Sequence, residues 1–411
     1  MFKTEGIGVC LCLPQLNHTM KVQLPPLGEI TRFFPNHRKC VVKVFTLLVQ
    51  CILRCRTVCL YKCRSEVGSI LGIKDYNLHA AYTRLIRFFK IKNIDAFCAG
   101  IILLIIHLVN FEGQVYMSLD RTNWKIGSKN INVLYVGLLL PNGIFIPVMW
   151  QLYNKRGNTS EQERCDFIER FFSIWQHHAN IKITLLGDRE FIGGKWFNFL
   201  KKADFSFVIR ARWQDYWGEV SISSGKIIAK LERHILRKIN KQGFFQVPII
   251  LEGQQLYYTV FINNSKRCPS KKKKDKWLVL ISDKQDVKWI GESFPKRWGI
   301  EVFFYHCKTN GFNLEDLNLV DPLKAQLMMG VTAICYVLSI LKGIKCQRTE
   351  KITWKNYKNK KSRSISLFRL GYDNLKNEVH TLKELIDFIG NQLPDIPSWK
   401  TIHWKFKFKN V

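Results

Sequence analysis

Between Gln114 and Asp188 the chain takes on a two-residue hydrophobic period that settles most of what it can fold into. VYMSLD alternates and ends on Asp120. NINVLYVGLLL and IFIPVMWQLY flank Pro141-Asn142-Gly143, and an Asn-Gly pair between two apolar runs predicts a hairpin. Ser160-Glu161-Gln162-Glu163 has the form of a capping box, so a helix is expected from there to about His178. KITLLGD then reads as a short buried strand ending on Asp188. The order is β-β-β-α-β, with an acidic residue closing the first and fourth strands.

That order is the order of a ribonuclease-H-like fold, an α/β architecture in which the first and fourth strands lie side by side. Asp120 and Asp188, 68 residues apart in sequence, are therefore expected to converge at one sheet edge. From about Val208 to Glu292 the texture changes: FSFVIR, GFFQVPIIL, LYYTVFI and KWLVLIS are short strands between basic loops, among them Lys271–Lys274. The stretch from Gly291 to Asp316 holds a helix capped by Ser293, with Pro295 in its first turn and stopped by Asn310-Gly311. At 100° per residue, Arg297, Glu301 and Lys308 fall within about 40° of one another, while Ile300, Phe303 and Cys307 lie away from that stripe. Periodicity alone makes this an amphipathic helix with an i,i+4 Arg–Glu pair.

The spacing adds to that. Phe294-x2-Arg297-x3-Glu301-x6-Lys308 resembles the Y-x2-R-x3-E-x6-K signature of the insertion-sequence-four family of bacterial DDE transposases. Arg297-Trp298, the run Glu301-Val302-Phe303-Phe304 and the segment Gly311-Phe312-Asn313-Leu314-Glu315-Asp316 are similar to the same family. So are Ser118 to Trp124 around Asp120, Gly187 to Phe191 around Asp188, and SRSISLFRLGYDNL near the C-terminus. The resemblance implies cut-and-paste transposition of an insertion sequence: strand cleavage at the element ends, then strand transfer to target DNA. It implies that Asp120, Asp188 and Glu301 are the catalytic carboxylates and hold two divalent ions, Mg2+ or Mn2+. Such clustered carboxylates are the hard oxygen ligands that phosphodiester cleavage by two ions requires. It places Arg297, Lys308, Arg189, Trp298 and Phe294 at the double-stranded DNA, and implies a hairpin intermediate and a homodimer in the synaptic complex. An all-β insertion between the second Asp and the Glu is also implied, which accounts for the 113 residues from Asp188 to Glu301. Phe294 departs from the signature: the ring is kept and the tyrosine hydroxyl is lost.

Charge agrees with a polyanionic partner. Sixty-four Lys and Arg stand against 32 Asp and Glu, a net charge of +32 spread along all 411 residues. Thirteen cysteines, an odd number without a paired framework, point to a reducing cytoplasm, and the resemblance implies a bacterial, nucleoid-associated protein. Cys51, Cys55, Cys59 and Cys63 recur at i,i+4 and are expected on one helical face as small core residues. The apolar runs Ala96–Val109 and Leu327–Leu341 fall short of the roughly 18–20 residues a membrane span needs, so no membrane is expected. The expected divisions are a poorly structured segment at 1–35, with Met20 as a second candidate start, and a basic helical region at 36–112, read as DNA-binding or alternatively as a helical cap packed on the catalytic domain. A first catalytic part at 113–207, the β insertion at 208–292, a second catalytic part carrying the Glu helix at 293–345 and a basic region at 346–411 follow. The alternatives are a related metal-dependent DNA nuclease and a non-catalytic or decayed DNA-binding protein; the intact acidic positions speak against the latter.

Overall fold

The β-β-β-α-β segment forms, but its first strand does not close on Asp120: pairing with the second strand carries it on to Ile126, and the whole is part of a larger sheet. The computed structural model describes residues 27–111, 113–126, 129–140, 142–175, 181–263, 277–349, 354–357 and 360–392. Helices α1 (Leu27–Thr31), α2 (Lys39–Cys55), α3 (Leu60–Leu71), α4 (Leu78–Phe88) and α5 (Ile94–Val109) precede β1 (Gln114–Ile126), β2 (Lys129–Leu139) and β3 (Phe145–Tyr153). Then come α6 (Glu161–Ile174), β4 (Lys182–Gly187), α7 (Gly194–Lys202) and β5 (Ser206–Ala211). Next are α8 (Trp217–Ser224), α9 (Ile228–Gln242), β6 (Phe244–Leu251), β7 (Gln254–Ile262) and β8 (Trp277–Ser282). Helix α10 (Val287–Ser293) runs through a 3-10 turn, Phe294–Arg297, into α11 (Trp298–Cys307). The described part closes with α12 (Pro322–Thr349), the small hairpin β9 (Trp354–Tyr357) and β10 (Lys360–Arg363), α13 (Leu367–Glu378) and α14 (Leu382–Gly390).

Eight strands form one sheet in the order β3-β2-β1-β4-β5-β8-β7-β6. The pairs β1–β2 and β2–β3 are antiparallel, while β1–β4 and β4–β5 are parallel. At the hairpin, Gly143 takes φ 78, the left-handed conformation its turn requires, and Asn142 Oδ1 accepts from the Ile144 amide. The capping box at α6 is present in both directions, between Ser160 and Glu163. The residues expected to extend that helix beyond Trp175, together with residues 1–26 and the Lys271–Lys274 run, lie outside the described residues.

Three expectations need correction. The stretch 208–292 is not all-β: it contains α8 and α9, and its opening boundary cuts through β5. Nor is it set apart, because β8 pairs antiparallel with β5 and so extends the same sheet. The helix bearing Glu301 does not begin at Ser293. Ser293 is buried at the end of α10, and the 3-10 turn puts Arg297 just before α11, with Lys308 just after it. The four cysteines do not share one helix either. Arg56 adopts a left-handed conformation that ends α2, and α3 departs at 107° with Cys59 as its N-cap, although Cys51 and Cys63 are buried as expected.

Helix α12 is the centre of the core. Its apolar stretch is longer than the sequence suggested, and Pro322–Gln347 has the length and composition of a membrane span, yet 83% of that apolar window is buried inside the protein. It packs against α2, α5, α13 and β3. At the crossing with α13 the backbones nearly touch: a Cβ on Gly371 would lie 1.8 Å from the Ser339 carbonyl oxygen, and one on Gly343 would lie 2.0 Å from that of Leu367.

Candidate active site

Strand register brings the two aspartates together. In the parallel pair β1–β4, Leu119 faces Gly187, so Asp120 and Asp188 are the next residues on neighbouring strands. Neighbouring strands lie about 4.8 Å apart. Each carboxylate accepts a hydrogen bond from the amide that follows it, Asp120 from Arg121 at 2.7 Å and Asp188 from Arg189 at 2.8 Å. The two side chains are thereby fixed in the same way, Asp120 midway along β1 and Asp188 just beyond β4.

Arg297 links Asp120 to Glu301. One terminal nitrogen of its guanidinium donates to Asp120 Oδ2 at 3.0 Å, and the other donates to Glu301 Oε1. Its Nε is buried without an acceptor, so the terminal nitrogens alone hold it. Burial acts to lower the pKa of Arg297, but Asp188, Asp120 and Glu301 outweigh it and raise the value overall. Burial pushes the Asp120 carboxyl up to about 6, against the pull of Arg297 and of the Arg121 amide. Arg210 approaches Asp188 at 3.9 Å.

The other expected residues are dispersed around this centre. Lys308 donates to the Asn123 carbonyl at 3.0 Å, pairs with Glu315 at 3.5 Å and lies over the Trp124 ring. Phe294 is half-buried against the core beneath the Arg297 guanidinium, whose centre is 5.7 Å from its ring. Trp298 is 47% exposed. Arg189 is half-buried beside Asp188.

A polar network absent from the sequence reading lies behind the aspartates. Arg121, next to Asp120, donates to Glu190, two residues after Asp188, from Nε at 3.1 Å and from Nη2 at 2.8 Å. The same guanidinium donates to the Gly157 carbonyl and to Asn158 Oδ1. Asn132 of β2 donates to the carbonyls of Lys155 and Gly157, and the buried Arg164 of α6 donates to those of Glu190 and Ile192. Strand β1, the loop after β3 and the loop after β4 are thus tied to one another. Only the register of β1 against β4 makes this visible, because Arg121 and Glu190 are 69 residues apart.

The donor set is carboxylate oxygen, which suits a hard divalent cation. Among the described residues, no group of three or more His, Cys, Asp and Glu side chains is drawn close enough to hold an ion as it stands. The Arg297 guanidinium bridges two of the three carboxylates instead.

Fold and site together define an α/β protein with an acidic centre where the parallel pairing of β1 and β4 ends. Residues 167–338 match the family described as Transposase DDE domain. The matched segment contains Asp188 and Glu301 and begins after Asp120. It supports a DDE transposase family, a family that generally uses divalent metal ions. No similar sequence was found among curated proteins.

Proposed function

We propose that this protein is a DNA transposase of the insertion-sequence-four type, with a ribonuclease-H-like core formed by the strand order β3-β2-β1-β4-β5. The observation that carries the proposal is the register of β1 on β4, which sets Asp120 beside Asp188, together with the Arg297 bridge from Asp120 to Glu301. Asp120, Asp188 and Glu301 would hold the divalent ions, Mg2+ or Mn2+. When bound, such ions lower the pKa of water and neutralise the leaving oxygen of an in-line displacement.

The chain's own residues do the rest. Asp120 and Asp188 are held by the amides that follow them, and Asp120 turns its other oxygen to Arg297, just before α11. Arg297 is a planar fork suited to two phosphate oxygens, and it exchanges its carboxylate partners for the phosphate beside the scissile bond. Lys308 adds a point charge one helix length away. Trp298, exposed on α11, offers a ring face to a base displaced at the DNA end. Cleavage of a phosphodiester by water frees a 3′-hydroxyl. That hydroxyl attacks a phosphodiester of target DNA, forming one P–O bond and breaking another. The double-stranded element ends, target DNA and a second copy of the chain in the synaptic complex are the partners of this reaction.

Asp188→Ala is the test. It is expected to abolish Mg2+-dependent nicking of DNA bearing the element's terminal repeats while leaving DNA affinity within about threefold. A variant that still nicks at the wild-type rate would overturn the carboxylate assignment.

A further inference from the structure

Helix α9 was not anticipated, and its surface is unlike the rest of the molecule. Leu231, Ile235 and Ile239 are fully buried, spaced i, i+4, i+8, and they seat the helix on β6 and β7. At 100° per residue, Lys230, Arg233, Arg237 and Lys241 fall within about 80° of one another on the opposite side, with Lys238 flanking them. All five are exposed, and among the described residues none of them is held in an ion pair. The four aligned cations run about 16 Å along the helix. Burial first, and then the neighbouring Lys226, Lys238 and Arg237, lower the pKa of His234.

We propose that α9 is a second DNA-binding surface, a basic ridge that grips the phosphate backbone of a duplex outside the segment being cleaved. It rests on the reading that DNA is the substrate. Uncompensated cations in a line suit a polyanion with regularly spaced charges, and a DNA strand presents one phosphate about every 3.4 Å. The ridge is separate from the acidic centre because it lies on the other face of the sheet. The His234 ring lies 5.8 Å from that of Phe245, so α9 covers the Phe245 face. Phe245 pairs with Val260, and the next residue, Phe261, points the other way, toward Gly291 of α10. Helix α10 leads into the Glu301 helix. A lipid surface suits α9 less well. An interfacial helix must bury its apolar face in the membrane, whereas this apolar face is already used on β6 and β7. Among the described residues, the large apolar side chains exposed at its N-terminal end are Ile222, Ile227 and Ile228.

The quadruple variant Lys230→Gln, Arg233→Gln, Arg237→Gln, Lys241→Gln tests this in the full chain. Binding of a terminal-repeat duplex is measured between about 50 and 200 mM salt, beside a control with equal charge loss at the exposed Lys202, Lys345, Lys376 and Lys383. Each phosphate contact contributes about 0.9 to the slope of log affinity against log salt. The ridge variant is therefore expected to flatten the slope by about 3 to 4, the control by less than about 1, with nicking at saturating DNA unchanged. Equal slopes in ridge variant and wild type would overturn the proposal, as would equal flattening in the control. Loss of binding to vesicles containing phosphatidylserine, with the DNA slope intact, would reassign the ridge to membranes and likewise overturn it. A wild-type protein that shows the ridge effect but never nicks DNA would sink the catalytic reading and leave the ridge standing.

Discussion

Arg121 and Glu190 do for the aspartates what neither aspartate does for itself. Their side chains are 15% and 17% exposed, so the ion pair is largely desolvated, and its removal from one side leaves the other charge without a match. Glu190→Gln keeps the shape and deletes the charge. It is expected to cost about 1–3 kcal/mol of stability and to slow nicking about tenfold. In a double-mutant cycle with Arg121→Lys, coupling of at least about 1 kcal/mol is expected; additive effects would show that the two do not act as a unit. At this scale the sequence was informative where chemistry is local. The i,i+4 spacing of Arg297 and Glu301 announced their pairing, and the apolar run before Asp188 announced a strand end, whereas the strand through Asp120 runs on to Ile126. Glu190 was quoted only as part of the segment around Asp188, since its partner is supplied by a neighbouring strand. Arg297 also carried a surprise: its second partner, Asp120, is 177 residues away and could not be read from helix geometry.

Helix α11 is positioned from outside itself. A Cβ on Gly299 would lie 2.3 Å from the Gly143 carbonyl oxygen at the β2–β3 turn and 2.9 Å from Leu139. The helix therefore rests on the hairpin through a bare backbone, two residues before Glu301. Gly299→Ala is expected to destabilise the protein by about 1–3 kcal/mol, as overpacking does, and to reduce nicking because Glu301 must retreat with the helix. Gly291→Ala, in α10, is the counterpart: its Cβ would meet Phe261 at an ordinary 3.5 Å, and thermal melts should be unchanged or slightly higher. Identical melts for the two variants would contradict this account. The insertion was legible only in half. Its strands alternate clearly, but Leu231, Ile235 and Ile239 carry a helical period within what was taken for a basic loop. The break between α10 and α11 was hidden for another reason: a 3-10 turn preserves helical spacing closely enough to pass for one continuous helix.

The N-terminal helices are part of the main core. Val58 donates its amide to the Phe312 carbonyl, Gln50 donates to that of Val379, and Tyr372 donates its hydroxyl to that of Ile52. Helix α2 contributes eight buried apolar side chains, from Val42 to Leu53. At about 1.5–3 kcal/mol each, even half of that burial rivals the 5–15 kcal/mol by which whole domains are stable. Deletion of residues 1–93 is therefore expected to leave no cooperative thermal transition and an aggregated product on size exclusion. A soluble fragment with a sharp melt would show that the helical region is separable after all. The basic, helical character of this region was visible in the sequence; its attachment to α12, α13 and α14 was not, because those contacts cross more than 250 residues. That attachment also sets a schedule for the nascent chain. Gln50 and Val379 are 329 residues apart, a distance that a ribosome covers in roughly 15–65 s at about 5–20 residues per second. For most of that interval, until residues 322–349 are made, the apolar faces of α2 and α5 have no α12 to cover them. A message cut short before α13 thus yields a chain that chaperones and proteases meet, rather than a folded fragment able to compete for DNA.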